Sequence, residues 1–250
     1  MRRILLTSAF AIAATTTVPV YAATDFNLGC VSVPGGCAAF QKEFRDISED
    51  ITGGLNYKAL GPAEATGWSG LDIGGHVSYT PVLNKTSWKR VTGSDVDAVG
   101  MVGIGLRKGL PFNIDVGVSL SAVPQTNVKI YGVEARYAFL PGTAFTPAVA
   151  LRAAYTASSG IEHFNFNTSS VDLSVSKGFT VFTPYAGVGY LRGSTNPDAI
   201  SGLKEERVSE AKFFVGTRIG LGFLDITPEY ARAGSSNSYR LHVGFSIQMP

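Results

Sequence analysis

Between Phe112 and Ser121 the chain reads FNIDVGVSLS. Phe112, Ile114, Val116, Val118 and Leu120 alternate with Asn113, Asp115, Gly117, Ser119 and Ser121. Successive strand side chains point to opposite faces, so this stretch predicts a strand with one greasy and one polar face. The pattern recurs. Val171, Leu173 and Val175 oppose Asp172, Ser174 and Ser176, and Phe213, Val215 and Ile219 oppose Lys212, Gly216 and Arg218. Leu224, Ile226 and Tyr230 oppose Asp225, Thr227 and Glu229, and in the last strand Leu241, Val243 and Phe245 oppose Arg240, His242 and Gly244. Ten such segments are predicted, at about 70–80, 98–107, 112–121, 127–139, 145–156, 168–177, 179–191, 208–220, 222–232 and 238–249. The parity of 179–191 is ambiguous.

Their connections alternate. GLP, PGTA, Lys177-Gly178 and Leu221-Gly222 are tight; 81–97, 122–126, 157–167, 192–207 and 233–237 are longer or more polar. An even number of strands, short turns on one side and longer loops on the other predicts an all-β, closed, antiparallel, up-and-down transmembrane barrel. A soluble periplasmic barrel or sandwich would alternate too, with its apolar face inside. Three features favour lipid outside. Aromatics on the apolar face gather at two levels, Tyr79, Tyr131, Tyr155, Tyr190, Tyr230 and Tyr239 toward the long loops, and Phe112, Tyr137, Phe139, Phe145 and Phe179 toward the short turns, as interfacial girdles do. The opposite face is rich in Gly and Ser rather than dense in Lys and Glu. Finally, the chain opens with an export signal.

That signal is Arg2-Arg3, the apolar run ILLTSAFAIAA and a small-residue site at Val20-Tyr21-Ala22, read as a signal peptide over 1–22. Of the 21 basic residues two lie in it, leaving 19 against 19 acids. A neutral mature chain gives no basic surface for nucleic acid. Cys30 and Cys37 flank a Pro34-Gly35-Gly36 turn in an exported chain, which predicts a small disulfide loop. Residues 23–69 form a periplasmic N-terminal segment. Phe40, Phe44, Ile47 and Ile51 predict an amphipathic helix over about 39–52, stopped by Gly53-Gly54. It could plug the barrel, bind a partner or cap the barrel; a cap is the preferred reading, with GPAEATG at 61–67 as a linker.

Inside the barrel the polar face carries Asp72, His76, Asp115, Glu134, Arg136, Arg152, Asp172, Lys212, Arg218, Asp225, Glu229, Arg240 and His242. In a narrow ten-stranded interior such charges must pair or stay wet. The expectation is an ion-pair network with trapped water, leaving at most a thin path for ions. His76 and Ser78 share that face and are the weak candidates for a lipid-hydrolysing pair. His163, in GIEHFNFNTSS, belongs to an external loop. No metal-ligand cluster or cofactor motif is read.

The stretches KALGPAEATGWSGLDIG at 58–74, RKGLPFNIDVG at 107–117 and SVSKGFTVFTPYAGVGYL at 174–191 resemble uncharacterised barrel proteins of Gram-negative bacteria, and the whole of 58–249 resembles small outer-membrane barrels of the opacity and OmpA-transmembrane type. The resemblance implies residence in the outer membrane, contact with its lipids and lipopolysaccharide, and delivery by periplasmic chaperones and the barrel-insertion machinery. It implies no catalytic residue. Such barrels usually end in an aromatic residue, whereas this chain ends Gln248-Met249-Pro250, with Phe245 the last aromatic. Three functions stay open: a structural barrel or narrow pore, a lipid-modifying enzyme, and a surface-binding protein acting through 81–97, 157–167 and 192–207.

Overall fold

A computed structural model describes residues 26–32, 36–58 and 61–247. The predicted signal peptide and Gln248-Met249-Pro250 lie outside them. Ten strands, each antiparallel to its neighbours, close into one barrel in chain order: β1 (Leu71–Pro81), β2 (Ala98–Leu110), β3 (Ile114–Ala122), β4 (Lys129–Leu140), β5 (Ala148–Ser159), β6 (Phe164–Ser176), β7 (Phe182–Pro197), β8 (Glu206–Leu221), β9 (Leu224–Ala233) and β10 (Ser236–Ile247). The seam joins the first strand to the last, with Leu71 opposite Ile247 and Tyr79 opposite Tyr239. Both Leu71 and Ile247 lie at the short-turn end.

All ten predicted strands are present, with shifted ends. β7 reaches Pro197 and β8 starts at Glu206, absorbing half of the expected loop 192–207 into a tall hairpin. Gly234 and Ser235 make a tight turn between β9 and β10, where a longer loop was expected. The size asymmetry therefore rests on 82–97, on 198–205 and on the β7–β8 hairpin. The stretch 82–97 is not a plain loop. It holds a short helix, α2 (Lys85–Thr92), below, in chain order, the N-terminal helix α1 (Gln41–Leu55).

The largest correction concerns 23–69. This segment was expected on the short-turn side, as a cap followed by a linker. Instead α1 packs against α2 and against the long-loop ends of β1, β2, β7, β8 and β10. The physical reason lies in the strands. Near that mouth their inward residues turn apolar (Val99, Met101, Val123, Ile130, Phe164 and Phe166) and form one core with Phe44, Ile47, Ile51 and Leu55 of α1 and Trp88 and Val91 of α2. Each such buried side chain contributes about 1.5–3 kcal/mol. A charge-lined mouth would not bind this helix, and the other buried apolar clusters, around Phe214 and around Ala63, are small.

Gly53 and Gly54 do not stop α1, which runs on to Leu55. They let it sit close: a Cβ at Gly53 would lie 2.4 Å from the Ser236 Cβ. The helix ends where Asn56 Nδ2 donates to the Thr52 and Gly53 carbonyls at 3.0 and 2.8 Å, and Lys58 Nζ donates to the Gly53 carbonyl at 2.8 Å. A cation at a helix C-terminus is favourable. At its outer side Cys30 and Cys37 form the expected disulfide, and both are buried in the same core.

Below α1, residues 56–58 and 61–66 lie in the lumen. The Tyr57 ring lies over Gly132 of β4, where a Cβ would stand 2.5 Å from it. The Pro62 carbonyl accepts from Arg136 Nη1, and the Ala63 amide donates to Ser176 Oγ at 3.1 Å. The Thr66 amide donates to the Asp115 carboxylate at 3.1 and 3.2 Å. Ala138, Ala148 and Ala150 pack against Ala63, small residues that leave room for the passing backbone. The supposed linker is thus the filling of the barrel.

A side chain at Gly132 competes directly with Tyr57. We expect Gly132→Leu to lower stability by about 1–3 kcal/mol, as overpacking does, read as a lower temperature of the heat-induced gel-mobility shift. In Gly132→Leu combined with Tyr57→Gly most of that loss should return.

Candidate functional site

The lumen holds most of the buried charge of the described residues. Arg107, on β2, donates through Nε to Glu134 Oε1 at 3.0 Å; Arg152 Nη1 stands 3.4 Å from Glu134 Oε2. Arg152 also pairs with Asp172, whose other oxygen lies 2.9 Å from Lys212 Nζ. One alternating chain of charge therefore crosses β2, β4, β5, β6 and β8. Rings cover it: the Arg152 guanidinium lies 5.9 Å from the Tyr57 centroid and 5.7 Å from that of Phe214. Three further groups surround the chain. Arg136 pairs with Asp115. Tyr185 Oη donates to Glu229 at 2.8 Å, with Arg240 opposite Glu229 in the register. Arg218 Nη2 lies 3.3 Å from Asp72, beside Asp225 and His242.

Every residue of the expected network faces the lumen. All are buried except Arg218, which is half-buried. The sequence reading missed Arg107, which is 1% exposed. Arg107 closes the predicted strand 98–107, and the parity it shares with Gly103 and Gly105 on β2 places it inside. With it, six bases on the strands meet six acids. Tyr57 and Lys58 were also missed, because they lie on a non-periodic stretch that carries no facing signal. The ambiguity of 179–191 has its cause here. The inward positions Gly187, Gly189 and Gly193 have no side chain because Phe214, Asp172 and Thr52 press against them.

His76 and Ser78 are not brought together. His76 Nε2 lies 2.9 Å from Ser121 Oγ on β3, and Ser78 Oγ has no hydrogen-bond partner among the described residues. Neighbouring positions along a pleat point side by side, whereas Ser121 reaches the ring from two strands along the wall, over Gly103 of β2, which has no side chain to intervene. His163 lies at the long-loop end, 3.1 Å from Asp198.

At the mouth Asp50 ties the two helices. Its carboxylate accepts from the Leu83 and Asn84 amides at 3.3 Å each and from Trp88 Nε1 at 3.0 Å. Burial pushes this carboxyl above its ordinary range, against the pull of those donors.

The outside of the barrel is the reverse of the inside. Val102, Ile104, Leu120, Val133, Val171 and Val188 are each half or more exposed. Among the aromatics, Tyr79, Tyr131, Tyr155, Tyr190 and Tyr239 are exposed toward the loop end and Tyr137, Phe139, Phe112, Phe145 and Phe179 toward the turn end; Tyr230 is partly covered by Phe213 and Tyr239. A greasy belt of this extent around a closed sheet is solvated by hydrocarbon, not water. The belt, the closed edge and the charged interior define the class: a transmembrane β-barrel of the bacterial outer-membrane type.

Among solved structures the chain is similar to the N-terminal β-barrel domain of Pseudomonas aeruginosa OprF, with 11% identity, TM-score 0.36 and 72% of this chain and 99% of that one covered. It is also similar to Ail, the attachment invasion locus protein of Yersinia pestis, with 13% identity, TM-score 0.35 and 71% and 97% covered. For the β domain of the Bordetella autotransporter BrkA the values are 11%, 0.45, and 72% and 99%. No protein-family model matches the chain, and no curated protein does. The barrel reading stands on the strand register and the belt.

Asp172 neutralises two buried cations at once. Asp172→Asn leaves Arg152 and Lys212 short of a partner and should cost about 3–5 kcal/mol, measured as loss of the folded, fast-migrating gel form. Asp172→Asn with Lys212→Met should recover part of it.

Proposed function

We propose that this is a sealed outer-membrane barrel, a structural protein that carries its own N-terminal segment to the external mouth and holds it there, with the loop-end surface available for binding. The observation that supports this reading is the occupied lumen. Residues 56–58 and 61–66 run through it, and the α1–α2 core closes its loop end. A cavity of about 20 Å³ lined by Tyr57, Lys58, His76, Thr156 and Arg240 remains beside the thread, room for about one water. The charged lumen then works as an internal scaffold that grips the thread, as Arg136 and Asp115 do at Pro62 and Thr66. In this reading the aromatic rows sit at the two lipid interfaces, and lipopolysaccharide meets the loop-end row. Insertion machinery and periplasmic chaperones deliver the chain.

An open pore needs a continuous wet path, and a lipid hydrolase needs a nucleophile that lipid can reach. The thread occupies the first, and His76 and Ser78 lie buried without meeting. Neither feature favours those alternatives.

Planar-bilayer recording tests the seal. Folded full-length protein should be silent, and a variant lacking 26–69 should conduct. Steady conductance from the intact chain would reject the sealed barrel. Topology gives a second test. An epitope placed before Phe26 should be detected on intact cells, whereas one in the 141–147 turn should need permeabilisation.

A further inference from the structure

At the turn end of the lumen, Asp72 of β1, Asp225 of β9 and His242 of β10 bring one ligand-type atom each to within 4.8 Å of one another. All three are buried, and His242 is 3% exposed. Among the described residues neither ring nitrogen of His242 has a partner within hydrogen-bond distance; Nε2 faces Asp72 Oδ1 at 3.6 Å. A buried imidazole with no hydrogen bond is costly. Its position is nevertheless built. A Cβ at Gly74 would lie 2.6 Å from Cε1 of the ring, and one at Gly244 would lie 2.5 Å from Nε2, so two strand glycines keep its slot open. The carboxylates are held as well: the Ser246 hydroxyl lies 3.0 Å from Asp72 Oδ2 and 2.8 Å from Asp225 Oδ2.

We propose that Asp72, Asp225 and His242 bind a divalent transition metal of the zinc type. One imidazole nitrogen and two carboxylate oxygens suit such an ion better than magnesium or calcium, which prefer all-oxygen shells. Metal–ligand bonds of about 2.1 Å require the three atoms to draw in by about an ångström. The orientation of the carboxylates by Ser246 is the support that metal ligands need. Two cations face the site: Arg107, opposite Asp72 in the β1–β2 register and engaged by Glu134, and Arg218, which competes directly. Arg218 Nη2 is 3.3 Å from Asp72 and Nε is 3.9 Å from Asp225. It is 26% exposed, so it can swing toward the turn-end opening as an ion enters.

The placement gives the ion a task. Its ligands come from the first strand and the last two, so it spans the β1–β10 seam that closes the barrel. A metal there clips together residues far apart in sequence, which an open sheet cannot do. It binds the closed form and not the open one, and so favours closure.

The test uses folded full-length protein in detergent, stripped with chelator and titrated with Zn²⁺ alone. One equivalent should bind, and the temperature of the heat-induced mobility shift should rise. Magnesium should do neither. His242→Gln and Asp225→Asn should each weaken binding by about tenfold to a hundredfold or more, while His163→Gln, at the opposite end, should bind like the parent. Arg218→Gln guards against variants that fail to fold, because removing the competing cation should tighten binding. Absence of stoichiometric zinc, affinity unchanged in folded His242→Gln, or affinity not increased in Arg218→Gln would each overturn the proposal. These outcomes are read independently of conductance, so they do not hang on the sealed lumen.

Discussion

The backbone of a strand in hydrocarbon has nowhere to place an unpaired N–H or C=O except on another strand. That one constraint closes the sheet, with β1 paired to β10 along its length. Closure in turn separates two environments by side-chain parity alone. Val116 and Leu241 face lipid; Asp115, one residue away, and Arg240 and His242, on either side of Leu241, face the lumen. Everything else in the molecule answers the question of what fills that lumen.

The filling is of two chemical kinds at two depths. At the loop end the inward residues are apolar and bind an ordinary hydrophobic core made with α1 and α2. Deeper, they are charged, and each charge is either paired or placed against the thread. The pairing of Arg107, Glu134, Arg152, Asp172 and Lys212 links five strands. A buried network of this kind adds little net stability over a greasy filling. It also fixes the thread, since Asp115, Arg136 and Ser176 each bond to its backbone.

Small residues decide where the thread can go. Gly132 admits Tyr57, Gly193 admits Thr52, and the alanines at 138, 148 and 150 admit Ala63. Read as a sequence, they are merely weak strand formers, and in 179–191 they hide the facing pattern altogether. They are informative only once the partner lying over each of them is known. The same holds for Gly53 and Gly54, which read as a helix stop and serve as a contact surface.

Local periodicity determined the barrel by itself. Ten segments, the facing of those outside 179–191, the exposed aromatics and nearly all the lumen charges follow from a period of two, since that period is a property of the extended backbone and not of its surroundings. The disulfide also follows, because two cysteines seven apart in an exported chain have few other partners. Tertiary structure alone decided where the N-terminal segment goes, that His76 meets Ser121 rather than Ser78, and that Asp72, Asp225 and His242 converge across the seam. Those are contacts between residues tens to hundreds of positions apart. They depend on how much room the closed barrel leaves, a quantity that no single stretch of sequence contains.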